Sequence, residues 1–257
     1  MLSFVCSALV WHGGGMQTKQ PTARALAREA VHASILAAAR ARLTEEGPSQ
    51  LALRAVARDV GMVSSAVYRY FASRDDLLTA LLVLDYDELG AAVEAADAAV
   101  DRADVAGRWA AACRAIRTWA VAHPGDFALL YGSPVPGYVA PPSTIEPASR
   151  TTHVLIQVVA DAWTDGRHGA RPAPASPPDG LPSAIGDAVA YVRERGVAPD
   201  LPDELVLRIL MAWTTVFGVV SFELFGHTVG AVSDGAVYFD HVVARLADDL
   251  GITARRP

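Results

Sequence analysis

The stretch from Leu51 to Leu77, LALRAVARDVGMVSSAVYRYFASRDDL, constrains the fold of this 257-residue chain more than any other. Ala57 and Gly61 are small at the points where two crossed helices would come closest and where the backbone must turn. Larger apolar residues recur at the spacings that such helices need to close a small core: Val56, Val60, Met62, Val67 and Tyr70. The pattern predicts two short helices joined by a tight turn, which is a helix-turn-helix.

The second of these predicted helices carries polar side chains between its apolar positions. Ser65, Tyr68 and Arg69 belong to the residue types that contact the base edges and phosphates of DNA. The second helix of such a motif lies in the major groove with its N-terminal residues at the bases, here Val63, Ser64 and Ser65. Arg69 lies one turn farther on, where arginine can form two hydrogen bonds to guanine. The stretch therefore predicts a double-stranded DNA operator as a partner.

Two longer matches point to a family. AVYRYF at 66–71 and SRDDLL at 73–78, after a predicted first helix over 24–46, resemble the TetR family of transcriptional regulators. RTWAVAHPGDFALLYGSPVPGYVAP at 117–141 and AWTTVFGVVSFELFGH at 212–227 resemble the WHG type of TetR C-terminal domain. The resemblance implies a dimeric, all-helical repressor with an N-terminal DNA-binding domain and a larger domain for a small-molecule effector.

The same resemblance implies further DNA contacts. Tyr68 and Tyr70 match positions that contact phosphates in the family, although the ring of Tyr70 could equally belong to the core. Arg74, where relatives often carry lysine, is a candidate phosphate contact or else a solvated charge. Arg54 is likewise a candidate contact to the DNA backbone or else an ordinary surface residue. Thr22 is a candidate contact to the sugar-phosphate backbone.

Two residues depart from the family pattern. Ala52 and Val63 stand where relatives often carry Ser or Thr as helix caps, so a cap is expected to be missing at each helix of the motif. Ser49 is a candidate substitute for the first cap. A lost cap costs about 1 kcal/mol, which a packed domain can absorb. The departures therefore concern individual contacts and leave DNA binding as the expected function.

The charge of the chain is divided unevenly. Residues 1–74 hold nine Lys and Arg against four acids, whereas the remaining residues hold thirteen Arg against twenty-four acids, and the total is −6. A basic end on an acidic body attracts a polyanion to one face and repels it elsewhere. The division supports the DNA-binding interpretation of the N-terminal part.

Helical periodicity dominates the remaining sequence, and strand alternation is nearly absent, so we predict an all-α fold. Ser73 and Asp76 form a predicted capping box at the start of a long helix. The other predicted helices cover 105–122, 126–131, 145–165, 183–195 and 202–225, and a last one follows Asp234. Residues 132–142 and 166–182, rich in Pro and Gly, are predicted to be irregular.

Three parts follow from these boundaries. Residues 1–21 are predicted to be a disordered extension, with Met16 as an alternative start of translation. Residues 22–74 form the predicted helix-turn-helix domain, and residues 75–252 form the effector-binding and dimerisation domain. In the family the last two helices form a four-helix bundle with a partner subunit, which implies a homodimer. The alternative is that this pair packs wholly within one subunit.

An effector site should lie in the larger domain, because a ligand must favour the conformation that cannot bind DNA. Aromatic residues supply most of its candidate lining, although core packing is the competing interpretation for each of them. The candidates are Trp109, Arg117, Phe127, Tyr131, Tyr138, Trp163, Trp213 and Phe217.

The sequence lacks the motifs that are typical of enzymes, metal-binding proteins and membrane proteins. The chain has no Gly-rich phosphate loop, nucleophile elbow, HExxH or CxxC, so no catalytic residues, metal site or cofactor are predicted. Cys6 and Cys113 are isolated, as in a reducing cytoplasm. The apolar runs 2–11 and 209–220 are too short to span a membrane. The alternative function is a dimeric small-molecule-binding protein that no longer recognises an operator.

Overall fold

A computed structural model describes residues 22–166, 168–169, 180–194, 196 and 198–252, and every regular element in these residues is a helix. The predicted all-α fold class is confirmed. In chain order the helices are α1 (Ala23–Glu46), α2 (Leu53–Asp59), α3 (Ser64–Val67), α4 (Arg74–Ala98), α5 (Val105–Ala122), α6 (Pro124–Tyr131), α7 (Ile145–Thr164), α8 (Leu181–Ala184), α9 (Gly186–Glu194), α10 (Asp203–Leu224) and α11 (Gly235–Asp249). The predicted extension over 1–21 and most of the predicted loop over 166–182 lie outside the described residues.

A small core joins the first three helices to the start of α4. Val56 and Val67 of the predicted helix-turn-helix are fully buried in it, while Val60, Met62 and Tyr70 pack partly buried at its edge. Gly61, in the turn between α2 and α3, has a φ of 66°, a left-handed conformation that favours glycine. The other main contributors are Ile35, Leu43, Leu53, Phe71, Leu77, Leu78 and Leu81.

Local capping explains where the N-terminal helices begin. The Thr22 hydroxyl accepts a hydrogen bond from the Ala25 amide at 3.2 Å. The Ser73 hydroxyl accepts one from the Asp76 amide at 3.0 Å, and the second half of the predicted capping box is not among the hydrogen bonds found in the described residues. As predicted, α2 and α3 begin at Ala52 and Val63 without a side-chain cap, so Ser49 does not substitute.

The larger core lies between α4, α5, α6, α7 and the last three helices. Its fully buried large side chains include Trp109, Ile116, Phe127, Leu155 and Phe239. The helix α4 belongs to both cores, since Leu77 and Leu81 lie in the first and Leu89 and Val93 in the second. This helix therefore physically connects the helix-turn-helix to the body.

One buried arginine ties three helices of the body together. The Arg108 side chain on α5 is completely buried, and its guanidinium lies 2.7 Å from Asp97 Oδ1 of α4 and 2.7 Å from Asp161 Oδ2 of α7. Removing one partner of a buried pair leaves an uncompensated charge, so this triad fixes how α4, α5 and α7 lie against one another.

Most predicted helix boundaries agree with the structure to within a few residues. The short helix predicted from Asp126 begins earlier, at Pro124, because proline is favoured in the first helical turn. The single helix predicted over 183–195 is two helices, α8 and α9, with Ile185 between them.

Helix α10 corrects the sequence-based statement about membrane spans. The apolar run 209–220 is part of a helix of 22 residues, which by length and composition alone is sufficient to cross a membrane. Its apolar character has another explanation, because Leu205, Ile209, Val216 and Val220 are buried in the larger core. Core helices of globular proteins commonly have this composition.

Candidate nucleic-acid interface and ligand cavity

Helix α3, the second helix of the helix-turn-helix, and the residues directly beside it expose most of the predicted DNA-contacting side chains to solvent. Val63 is 70% exposed and Tyr68 45% exposed, and Ser65 and Arg69 are also exposed. Ser64 is partly buried at the first position of the helix. Because the opposite side of α3 is anchored by the buried Val67, this arrangement leaves a short polar ridge available to a DNA groove.

The flanking candidates have mixed surroundings. Arg54 is exposed on α2, and Thr22 caps α1 while its side chain remains exposed. Tyr70 is partly buried against the small core, and the Arg28 guanidinium lies 5.6 Å from its ring centroid. This cation–π contact between α1 and the residues after α3 keeps the ring close to the domain surface. The structure therefore gives Tyr70 a packing role whatever its hydroxyl contacts.

Arg74 does not extend freely into solvent. Its Nε donates to the Leu51 carbonyl at 2.9 Å, and its Nη2 donates to the Pro48 carbonyl at 3.0 Å and to that of Ser49 at 3.3 Å. These carbonyls belong to the 3₁₀ turn Pro48–Gln50 and to the residue after it. The interpretation of Arg74 as a solvated charge is thus corrected: the guanidinium fixes the chain that leads into α2.

A cluster of charges joins α1 to the body. Arg40 of α1 lies 2.9 Å from Asp85 Oδ1 of α4, and its guanidinium also donates to Glu88 of α4 and to Asp126 of α6. His123 Nδ1 lies 3.6 Å from Asp126 Oδ2. Three carboxylates therefore share one guanidinium at the contact between the DNA-binding part and the larger domain.

Asp85 is the most constrained member of this cluster. Its side chain is completely buried, and neither of its oxygens has a partner of hydrogen-bonding geometry in the described residues, although Arg40 is close. Burial raises its pKa to about 8, and the nearby Asp126 adds to the rise while Arg40 opposes it. The Asp126 pKa is also raised, mainly by burial. The contact between α1 and α4 thus contains a carboxyl group that is poorly stabilised as an anion.

A cavity of about 460 Å³ opens between α4, α7, α9 and α10, beside the turn Pro142–Thr144. Its size is within the usual range for sites of small molecules. The described residues that line it include none with a charge. They are Leu82, Tyr86, Ala140, Thr144, Ile145, Ala148, Ser149, Thr152, Ile156, Ala188, Tyr191, Val192, Val206, Ile209, Leu210 and Trp213.

The structure places one of the eight predicted effector residues, Trp213, on the wall of this cavity. Trp109, Phe127 and Phe217 are buried in the larger core instead, where the Trp109 Nε1 donates to the Val243 carbonyl at 3.1 Å. Large rings fill the interior because they remove the most apolar surface from water. The ring of Tyr131 also packs against this core.

The other three predicted lining residues make contacts elsewhere. Arg117 pairs with Glu223, its Nε lying 2.8 Å from Oε2. The Tyr138 hydroxyl lies 2.9 Å from the Thr79 hydroxyl. Trp163 is 38% exposed near the end of α7, away from the cavity wall. These three side chains therefore lie outside the wall of this cavity, and each has a structural environment of its own.

Two of the corrected residues lie directly behind the cavity. The Trp213 ring centroid is 5.6 Å from that of Phe217, which is 4.4 Å from that of Tyr131. The Tyr131 ring in turn lies 6.1 Å from that of Tyr86 in an edge-on arrangement. The row of rings therefore begins and ends at cavity-lining residues and gives the wall a rigid backing.

The sequence reasoning missed the α7 side of the cavity because it searched for aromatic residues. Ile145, Ala148, Thr152 and Ile156 recur three and four residues apart and so share one face of α7. The buried residues Leu155 and Val159 lie on the face directed at the core. The signal in the sequence that could have indicated this wall is the second, partly apolar face of α7.

Comparisons with known proteins agree with this architecture. Residues 35–81 match the family described as bacterial regulatory proteins, tetR family. Residues 109–246 match the family described as tetracyclin repressor-like, C-terminal domain. The two matches cover the helix-turn-helix and most of the body.

Individual relatives give the same result. HTH-type transcriptional regulator Rv1816 of Mycobacterium tuberculosis is 40% identical over 231 residues, which cover 87% of this chain and 94% of that protein. The corresponding regulator Mb1846 of Mycobacterium bovis has the same identity and coverage. The crystal structure of the putative regulatory protein SCO4313 has a TM-score of 0.68 at 30% identity and covers 89% of this chain and 99% of its own.

A more distant structure shares the fold alone. A protein of unknown function from Rhodococcus sp. RHA1 has a TM-score of 0.61 at 23% identity, covering 93% of this chain and 100% of its own. The family is a non-enzymatic one, in agreement with the expectation that the chain has no catalytic site. The chain belongs to the TetR family of helix-turn-helix transcriptional regulators.

Proposed function

We propose that this regulator is a ligand-responsive repressor that binds a palindromic operator as a homodimer in the cytoplasm. The observation that carries the proposal is the position of α4. Its Leu82 and Tyr86 line the cavity, whereas Asp85 and Glu88 of the same turns face Arg40 of α1. A molecule in the cavity therefore contacts the helix that holds the DNA-binding part.

The mechanism we propose is a shift between two arrangements of the subunits. Effector binding favours a position of α4 in which the two recognition helices no longer match successive major grooves, roughly 34–36 Å apart. Without effector, the Arg40 cluster keeps α1 seated on α4 and α6. DNA affinity then falls because the dimer cannot engage both half-sites together.

On the DNA surface we assign roles by exposure and chemistry. Ser64, Ser65 and Val63 face the bases, and Arg69 is the residue that selects guanine. Tyr68, Arg54 and Thr22 contact the DNA backbone. Tyr70 and Arg74 contact phosphates at the edge, with the Nη1 group of Arg74 as its remaining donor and its other nitrogens bound to carbonyls.

The dimer is proposed to form through α10 and α11. Met211 and Phe222 of α10 and Phe225 just after it are exposed, with the partly buried Thr215 and Gly218 between them at three- and four-residue spacings. Helix α11 adds the exposed Val237 and Tyr238. A repeat of this spacing is typical of a helix that packs along another helix. An exposed apolar stripe on a single subunit indicates an interface, so a four-helix bundle accounts for it.

Two finer assignments are part of the same proposal. The division into 22–74 and 75–252 follows the two hydrophobic cores, although α4 contributes to both. The WHG type of the body is supported by contacts between its two characteristic segments, since Arg117 of the first pairs with Glu223 of the second. Tyr131 and Phe217 pack together in the same region.

Binding to the DNA upstream of the protein's own gene tests the DNA-reading assignments. We expect Tyr68→Ala to weaken binding to operator and random DNA alike and to flatten the dependence of the binding constant on salt, because a phosphate contact releases counterions. Arg69→Ala should instead reduce the preference for operator by roughly 1–3 kcal/mol. Arg114→Ala, which removes an exposed arginine of α5 whose ion pair with Asp240 lies on the surface, is the matched control.

The second candidate is a dimeric small-molecule-binding protein without operator recognition. The absence of side-chain caps at Ala52 and Val63 is the observation that favours it, since both helices of the motif start without that support. A footprint on the upstream DNA would exclude this candidate. If wild-type protein protects no site at low salt, the repressor proposal is overturned and the second candidate stands.

A further inference from the structure

We infer that the cavity between α4, α7, α9 and α10 takes a neutral, largely apolar small molecule. This inference names the ligand class of the effector site and rests on the function proposed above. It excludes carboxylates, phosphates, sulfonates and protonated amines as ligands of this site.

The first step of the argument is the absence of charge. None of the described residues that line the cavity is charged. Arg150, next to the lining residue Ser149, is committed elsewhere, since its guanidinium lies 2.8 Å from Glu94 Oε1 and 2.7 Å from Asp87 Oδ1. An ion that enters such a site loses its hydration without gaining a counterion, which is strongly unfavourable.

The second step concerns the polar groups of the wall. The hydroxyls of Thr144 and Ser149 donate to the carbonyls of Pro141 and Glu146, both at 2.8 Å, so their protons are engaged. The indole N–H of Trp213 is buried and has no acceptor in the described part of the chain. Because this nitrogen is not accessible from the cavity, Trp213 offers a ligand the apolar surface of its ring.

The third step concerns shape. Tyr86 and Trp213 are the two ends of the row of rings that runs behind the wall through Tyr131 and Phe217. Rings held in this way change position little when a ligand enters, so they offer preformed apolar surface. A site built from rigid rings and small α7 side chains favours an apolar skeleton of drug-like size over a flexible polar molecule.

Two fluorescent probes that share a skeleton test the inference directly. N-phenylnaphthylamine is neutral, and anilinonaphthalene sulfonate adds one permanent negative charge. We expect the neutral probe to bind the wild-type dimer at least roughly tenfold more tightly than the sulfonate. Because the chain has other exposed apolar residues, binding must also be located by variants of the wall.

Two variants locate and invert the preference. Ala148→Trp fills the cavity from α7 and should abolish binding of the neutral probe. Thr152→Lys places a cation on the wall and should reverse the order of the two probes. Thr118→Lys, at an exposed position of α5, is the matched control and should behave as wild type.

The inference is overturned if the sulfonate binds as tightly as the neutral probe, if Ala148→Trp leaves binding of the neutral probe unchanged, or if Thr152→Lys does not reverse the order of the two probes.

Operator affinity is measured in the same samples. If the neutral probe binds in the cavity but operator affinity does not change, the ligand class stands and the proposed response to ligand fails. If the protein binds its operator and the probes show no preference for the neutral form, the ligand class fails and the DNA-binding role stands.

Discussion

Arg74 shows how one side chain can support a DNA-binding surface while most of its donors are used inside the protein. Its guanidinium binds three carbonyl oxygens in the segment that leads into α2. The missing cap at Ala52 was visible in the sequence. These contacts of Arg74 were not, because backbone carbonyls have no sequence signature and only the folded turn aligns them with residue 74.

We therefore expect Arg74→Ala to destabilise the protein by about 1–3 kcal/mol, since hydrogen bonds to a charged group are lost and the partly buried carbonyls of Leu51 and Pro48 lose their partner. Urea denaturation followed by circular dichroism measures this change. Arg54→Ala, which removes an exposed arginine from α2, should leave the unfolding midpoint unchanged. Equal midpoints for wild type and Arg74→Ala would show that the carbonyl contacts contribute nothing.

The sequence predicts the surroundings of a residue well where a local motif determines them, and poorly where tertiary packing determines them. The exposed Ser65, Tyr68 and Arg69 follow from the helix-turn-helix pattern itself. The large aromatic residues were assigned to the ligand site, yet Trp109 and Phe127 are core. A ring has the same sequence appearance in both places, because apolar periodicity does not tell which neighbour a helix face will meet.

At the scale of elements, α4 is the member that links the two parts of the subunit. Its boundaries were predictable, because Ser73 caps its start and the apolar face of its first turns is clear in the sequence. The end of α1 at Gly47 was predictable for the same local reason, whereas α6 begins at Pro124, two residues before the predicted start. The division between α8 and α9 was not predictable. The helix breaks at Ile185, which is neither a proline nor a glycine.

The contact between α1 and α4 should be sensitive to pH. Asp85 has an ordinary pKa of 3.8 and a pKa of about 8 in the folded protein, so the folded state holds its proton to higher pH. The free energy of unfolding should therefore fall as pH rises from about 4 to about 8. Asp85→Asn removes this titration, so the variant should gain stability relative to wild type across that range.

Denaturation at pH 5, pH 7 and pH 9 measures the difference between the two proteins. Glu45→Gln, which neutralises an exposed carboxylate on α1, should keep the wild-type dependence on pH. A stability difference between wild type and Asp85→Asn that stays constant with pH would show that Asp85 does not change its protonation there.

At the scale of the whole molecule, the stripe of residues along α10 is the feature on which the proposed homodimer rests. Gly218 lies at the middle of this stripe, and a Cβ added there would meet nothing within 4 Å in the subunit. A helical glycine normally weakens a helix by about 1 kcal/mol relative to alanine. The close approach of a partner helix would explain why a glycine occurs at position 218, whereas the contacts within one subunit do not.

We predict that Gly218→Leu and Phe222→Glu both convert the dimer to a monomer. For Gly218→Leu the helix content should be retained, because the new side chain enters open space and clashes only with a partner. Sedimentation equilibrium measures the mass, and circular dichroism measures the helix content. Val139→Glu, which changes an exposed apolar residue outside α10 and α11, is the control. A dimer that persists in both variants places the interface elsewhere.

The sharing of α4 between cavity and charge cluster limits how this regulator can diversify. A substitution at Leu82 or Tyr86 alters the cavity. It also moves the turn that carries Asp85 and Glu88, which hold α1 through Arg40. Helix α7 is also tied to α4, since Arg150 binds Asp87 and Glu94, whereas α9 packs on α10. New ligand preferences should therefore accumulate on the α9 wall, and its positions are the ones to randomise when the protein is converted into a biosensor.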